Sequence, residues 1–190
     1  MNYDALLKGL AELVAAPATD LTDSLFADWT RVPGPIGEID IAFSGRGISY
    51  VRVVGLPDRT ASGDFATSFH TRFGRPLRRT DREPPGLRAA LDGNPPAELP
   101  VDLDTLTEFE REVLRATRQI PRGQTRPYGW IAAQIGRPKA VRAVGTAVGN
   151  NPVPLVIPCH RVVRSDGSPG EYVFGAAARQ RLLSAEREAG

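Results

Sequence analysis

Apolar residues over positions 1–16 (Leu6, Leu7, Leu10, Leu13 and Val14) recur at three- and four-residue spacing and predict an amphipathic helix. A second helical piece is predicted around Ser24–Trp29. The period then changes. Gly37–Phe43 alternates apolar with polar, and Gly47–Val54 is rich in β-formers; together they predict a hairpin around Ser44-Gly45-Arg46. Asp64–Phe73 and Leu87–Leu91 return to helical spacing. Gly93-Asn94-Pro95-Pro96 is the strongest break in the chain, and a domain boundary is placed between it and Thr105. This divides the chain into an N-terminal domain over 1–103 and a C-terminal domain over 104–190.

The second half reads as mostly helical. Thr107 and Glu110 have the spacing of a capping box, in which hydroxyl and carboxylate satisfy free N–H groups at a helix start. That helix is predicted to run to about Gln119, with Pro121-Arg122-Gly123 ending it. Pro127–Ile135 and Lys139–Val148 then predict two short helices around Gly136-Arg137-Pro138, a helix-turn-helix candidate. Past Lys139 the second of these carries mainly small residues and one long cation, Arg142, so it can approach a surface closely. Many helical hairpins share this pattern, and the spacing alone does not separate the two.

Composition narrows the classes. Of 190 residues, 41% are hydrophobic and 24% charged, which excludes wholesale disorder. No stretch approaches the roughly 20 apolar residues of a membrane helix. The opening MNYDALLKGL has an acid and no basic start, unlike a secretory leader. One cysteine excludes an intramolecular disulfide, and with only His70 and His160 beside it no Cys/His zinc cluster can form. A reducing cytoplasm is the expected compartment, and neither metal nor cofactor is expected. The net charge is +2, with −2 over residues 1–100 and +4 over 101–190; within 111–164, ten basic residues face one acid, Glu112. A basic C-terminal half points to a polyanion, nucleic acid first. Because 22 of the 24 basic residues are Arg, a general preference for Arg codons is the competing explanation. Arg111, Arg115 and Arg118 share a helix face, which reads as a solvated stripe ahead of a DNA contact.

The chemistry concentrates in Asn151–Val163, where the only cysteine follows an apolar run. The run resembles a buried extended segment, which places Cys159 on a pocket floor. A thiol attacks only as thiolate, and lowering its pKa needs a base, a cation or a helix N-terminus. His160 and Arg161 are next to it, but neighbours on a strand face opposite ways, so His160 would need a bend or a bridging water. The alternative is a buried structural cysteine acting as a small hydrophobe.

Asn151 together with Pro158-Cys159-His160-Arg161-Val162 resembles the signature of the O6-alkylguanine-DNA alkyltransferases (methylated-DNA–protein-cysteine methyltransferases). Ile120–Gly129, Arg142-Ala-Val-Gly145, Tyr172 and Leu182–Glu186 extend the resemblance over about 105–188, while over 1–100 it is limited to Gly34–Ile39. It implies an α+β fold: a small sheet-plus-helix, ribonuclease H-like N-terminal domain, then a helical domain with a winged-helix-like helix-turn-helix. It implies flipping of a damaged guanine, and possibly O4-alkylthymine, out of duplex DNA. One alkyl group, chiefly methyl, would then pass irreversibly to Cys159. By matching positions, His160 is the base through water, Glu186 orients it, Asn151 holds the loop, and Tyr128 aids extrusion and the leaving guanine. Arg142 fills the vacated stack from the minor groove. Tyr128, Ala140, Ala143, Thr125 and Arg161 complete the DNA surface, and Pro154, Val162, Tyr172, Val173 and Phe174 the substrate pocket. The partner is alkylated duplex DNA, bound by a monomer, with cooperative binding left open.

Two departures carry weight. Val173 and Phe174 stand where such proteins usually have small residues, so an inward Phe174 favours methyl over bulky adducts. The N-terminal part lacks the Cys and His that bind zinc in some members. Three other classes compete: a lesion binder without transfer, which Cys159 argues against; a transcription factor, for which no dimer signal is present; and a cysteine hydrolase, which needs an oxyanion hole and turns over repeatedly.

Overall fold

A computed structural model describes residues 25–58, 63–93 and 99–188; the helix expected over 1–16 lies outside them. Strands β1 (Ala27–Gly34), β2 (Gly37–Ser44) and β3 (Gly47–Val53) form an antiparallel meander, and β4 (Leu77–Arg79) joins parallel to β1, giving the order β3-β2-β1-β4. The expectation of helix over Ser24–Trp29 is therefore wrong from Ala27 onward. Ala27–Trp29 pairs with β4 on one side, and Asp28 and Trp29 pair with β2 on the other. Such two-sided pairing overrides a weak local preference. The hairpin forms where expected, with Ser44 opposite Gly47. Gly47 has φ +123, and a Cβ there would lie 2.4 Å from the Pro100 oxygen, so only glycine fits.

The sheet buries both faces. On one, Ala42 and Tyr50 pack on Phe69 of helix α1 (Phe65–Phe73), which starts at an Asp64 cap and stops at left-handed Gly74. On the other, Ile39, Ile41, Val51 and Val53 share one cluster with the C-terminal helices. A short helix α2 (Leu87–Leu91) contributes Leu87, Ala90 and Leu91 to that cluster. Helix α3 (Glu108–Arg118) begins with the reciprocal Thr107–Glu110 capping box. Of its arginine stripe, Arg111 donates to Glu108 and the Leu106 carbonyl, and Arg118 to the Leu99 carbonyl.

Helix α4 (Tyr128–Gln134), a turn with Gly136 at φ 70, and helix α5 (Val141–Gly149) form the helix pair. Ile131, Ala132, Val144, Ala147 and Val148 bind it to Val113 and Leu114 of α3. Arg126–Pro127 (β5) runs parallel to Val162–Val163 (β6), tying the entrance of α4 to the exit of the cysteine segment. Helix α6 (Ala176–Glu188) closes the chain. No described helix is long and apolar enough to cross a membrane.

Candidate active site

Residues 151–162 are buried throughout, but they are not extended. The chain folds back through a single Pro154–Ile157 bridge and enters one turn of 3-10 helix at Cys159–Arg161. Pro152, Pro154 and Pro158 explain the correction, since they have no N–H to give a strand ladder. Leu155 has φ 75, unlike any other non-glycine among the described residues. Asn151 closes the loop: its Nδ2 donates to the Ile157 carbonyl at 3.1 Å, and its Oδ1 accepts the Val153 N–H at 3.0 Å. The 3-10 turn supplies the bend at His160 that an extended segment would lack.

Cys159 is 7% exposed. Burial pushes its thiol up to about 11, against the pull of a hydrogen bond from the Asn151 side chain, the backbone N–H groups of Cys159 and His160, and the charge of Arg179. At rest Cys159 is therefore a neutral thiol. Burial also pushes the His160 imidazole below its ordinary value, with Glu186 opposing. His160 Nε2 lies 2.9 Å from Glu186 Oε1. Burial alone would raise the Glu186 carboxyl, but hydrogen bonds from His160 and Arg161 outweigh it and hold the group at about 2. An ionised carboxylate can only accept, so the neutral imidazole carries its proton on Nε2 and its lone pair on Nδ1. Nδ1 is buried and has no hydrogen-bond partner among the described residues.

Arg161 corrects the expectation that it contacts DNA: it is 3% exposed. Its Nε and Nη2 donate to Glu186 at 2.8–3.1 Å, Nη1 to the Ile120 carbonyl at 2.7 Å, and Nη2 to Gly93 at 3.2 Å. The Gly123 N–H adds a further bond to Glu186 at 3.2 Å. Two cation-capable groups thus converge on one carboxylate, which fixes the orientation of the imidazole.

Arg179 is the residue that sequence reasoning missed. It is 2% exposed, and its guanidinium donates to the carbonyls of His160 at 2.9 Å, Gly170 at 2.7 Å and Val162. It joins the cysteine turn to the following loop, and its charge favours the ionised forms of Cys159, Tyr128 and Tyr172. A signal was available: Arg179, Leu182 and Glu186 are spaced three and four apart, a charge on the inward stripe of α6.

Of the other expected positions, Tyr128 opens α4, half-buried, with its hydroxyl packed against Gly170, where a Cβ would lie 2.4 Å away. Pro154, Val162, Tyr172, Val173 and Phe174 are all buried near the turn. Tyr172 stands edge-on to both His160 and Phe174, with centroids 6.2 and 5.6 Å apart, and its hydroxyl has no partner among the described residues. Phe174, at 2% exposed, packs inward. Arg142 and Ala143 lie exposed on α5, Ala140 is half-buried at its start, and Thr125 is half-buried before β5. Among the described residues no three His, Cys, Asp or Glu side chains group as a metal site.

Residues 108–188 match the family described as 6-O-methylguanine DNA methyltransferase, DNA binding domain. The chain is 50% identical over 91 residues to the methylated-DNA–protein-cysteine methyltransferase of Mycolicibacterium paratuberculosis, covering 47% of this chain and 55% of that protein. It is 50% identical over 80 residues to the Salmonella typhimurium protein of the same name, covering 42% and 47%. The matched segment thus spans about half the length of these curated relatives. The crystal structure of Mycobacterium tuberculosis O6-methylguanine methyltransferase superposes with a TM-score of 0.67 at 30% identity, covering 86% of this chain and 94% of that one.

Proposed function

Because the chain belongs to the O6-methylguanine DNA methyltransferase family, we propose that it repairs alkylated DNA directly, moving one alkyl group from the O6 of guanine to Cys159. The carrying observation is the buried Cys159 in a turn shared with His160, backed by Glu186 and stapled by Asn151. Sγ attacks the alkyl carbon, an S–C bond forms, and the C–O bond breaks. The thiol proton leaves through His160 Nδ1 and water, and guanine regains a proton on its ring. A thioether is the product, so each molecule acts once.

The pKa pattern constrains the order of events. Moving a proton from a thiol held near 11 to an imidazole that burial pushes below its ordinary value is uphill. The thiolate is therefore not stored. It forms as the bond to carbon forms, with the leaving guanine as the final proton acceptor. Arg179 and the Asn151 amide stabilise the negative charge on sulfur in that interval. Tyr128, whose hydroxyl packs on Gly170 and feels the charge of Cys159, is the group that would hydrogen-bond the leaving base.

Duplex DNA is read by the α4–α5 pair, with α5 in the minor groove, Arg142 replacing the flipped nucleotide, and Thr125, Ala140 and Ala143 close to the backbone. The N-terminal sheet-plus-helix domain is taken as ribonuclease H-like scaffold. Inward Val173 and Phe174 narrow the pocket, so methyl is the preferred group. A lesion binder without transfer is disfavoured because it has no use for a cysteine set in one turn with a Glu186-oriented His160. The test is intact-protein mass spectrometry after mixing with excess duplex containing O6-methylguanine. A gain of one methylene on Cys159, absent in Cys159→Ala, is expected; tight binding with no mass change would leave only the binder.

A further inference from the structure

Asn151 positions the nucleophile loop, and two contacts from the first half of the chain bracket it. On one side Arg72, in the last turn of α1, donates from Nη2 to the Asn150 carbonyl at 3.0 Å. On the other, the Val51 N–H of β3 donates to the Pro152 carbonyl at 2.9 Å. β3 is an edge of the four-stranded sheet, so its free donor goes to the cysteine segment instead of a neighbouring strand. Asn150 is also the C-cap of α5, the helix read above as the DNA-facing one. Arg72 thus sets its charge at the partially negative end of that helix, where carbonyls lack intrahelical donors. Its side chain is partly buried against α1, with the guanidinium 6.0 Å from the Phe73 ring. Burial pushes the guanidinium below its ordinary range, and the more distant charges of Tyr50, Glu110 and Asp58 oppose that only in part.

We infer that Arg72 is a positioning residue for alkyl transfer: it holds Asn150 against the N-terminal domain, and through the adjoining peptide sets Asn151 and the turn bearing Cys159. This rests on the transfer reading above. The first domain is then part of the machinery, fixing one end of the nucleophile loop while Arg179 and Glu186 fix the other. The backbone bond from Val51 cannot be removed by a side-chain change, which makes Arg72 the accessible handle.

The experiment compares wild type, Arg72→Ala, Arg72→Gln and Arg72→Lys as full chains. Single-turnover methyl transfer is followed against the concentration of duplex containing O6-methylguanine, and solvent exchange of the Asn151 side-chain amide is followed by NMR in the free protein. Arg72→Ala is expected to lower the maximal rate roughly tenfold, the scale of a small misplacement of reacting groups. The half-saturating duplex concentration should stay within about twofold. Asn151 exchange should quicken, and Arg72→Lys should restore most of the rate. Arg72→Gln replaces Arg72→Ala if the latter does not fold. An unchanged rate, a loss confined to half-saturation, or failure of lysine to rescue would each overturn the inference. Should wild type transfer nothing, the function reading fails separately, and unchanged Asn151 exchange in the variants would still overturn the role of Arg72.

Discussion

Replacing Glu186 with Gln removes one charge and almost no volume from the point where His160, Arg161 and the Gly123 N–H meet. Glu186 is held at about 2 against an ordinary 4.5, a difference worth about 3 kcal/mol at about 1.4 kcal/mol per tenfold. Because the folded value is the lower one, this stabilisation is complete above about pH 5 and drains away as pH falls toward 2. Glu186→Gln should therefore cost about 3 kcal/mol at pH 6 and about half of that at pH 3, where the wild-type carboxylate has lost much of its advantage. Breaking a buried pair from one side gives the same scale, because Arg161 is left buried without its counter-ion. Denaturant unfolding of both proteins at several pH values reads the difference directly, and other acids titrate equally in each. A penalty that is equal at pH 3 and pH 6, or below about 1 kcal/mol at pH 6, would refute the picture of an ionised anchor. Methyl transfer by the variant at pH 7 should fall at least about a hundredfold, since the imidazole loses both orientation and tautomer.

Other outcomes follow from the same geometry. Asn151→Ala orphans the Ile157 carbonyl and the Val153 N–H, and should cost about 3 kcal/mol in denaturant unfolding. Arg179→Met leaves the carbonyls of His160, Val162 and Gly170 without a donor; it should lower the melting temperature by roughly 10 °C and raise the thiol pKa further, read as slower iodoacetamide labelling at fixed pH. In wild type that labelling should climb about tenfold per pH unit from pH 7 toward about 11, and a plateau near pH 8.5 would contradict the buried neutral thiol. Phe174→Gly should open the pocket beside Tyr172, raising transfer from O6-benzylguanine while leaving methyl transfer within a few-fold; equal benzyl rates in both proteins would show that Phe174 does not narrow it.

Local rules were enough wherever the signal lies within a few residues. The hairpin at Ser44–Gly47, the Thr107–Glu110 capping box, the α4–α5 pair about Gly136 and the Asp64-capped helix follow from turn residues, caps and period. The Pro-Cys-His-Arg-Val run likewise marked the segment that the structure buries as the Cys159 turn. What failed, or was invisible, depended on partners far along the chain. Ala27–Trp29 became strand because β2 and β4 pair with it, and the apolar run before Cys159 coiled because its prolines cannot pair. Arg161 reads as one more cation in a basic stretch until Glu186, Ile120 and Gly93 surround it. A buried arginine is stable only where several acceptors converge, and convergence is a property of packing. Arg72 and Arg179 show the same thing: each acts on a carbonyl from another segment, a group with no side-chain identity, and of the two only Arg179 leaves a hint in sequence, its place on the inward stripe of α6.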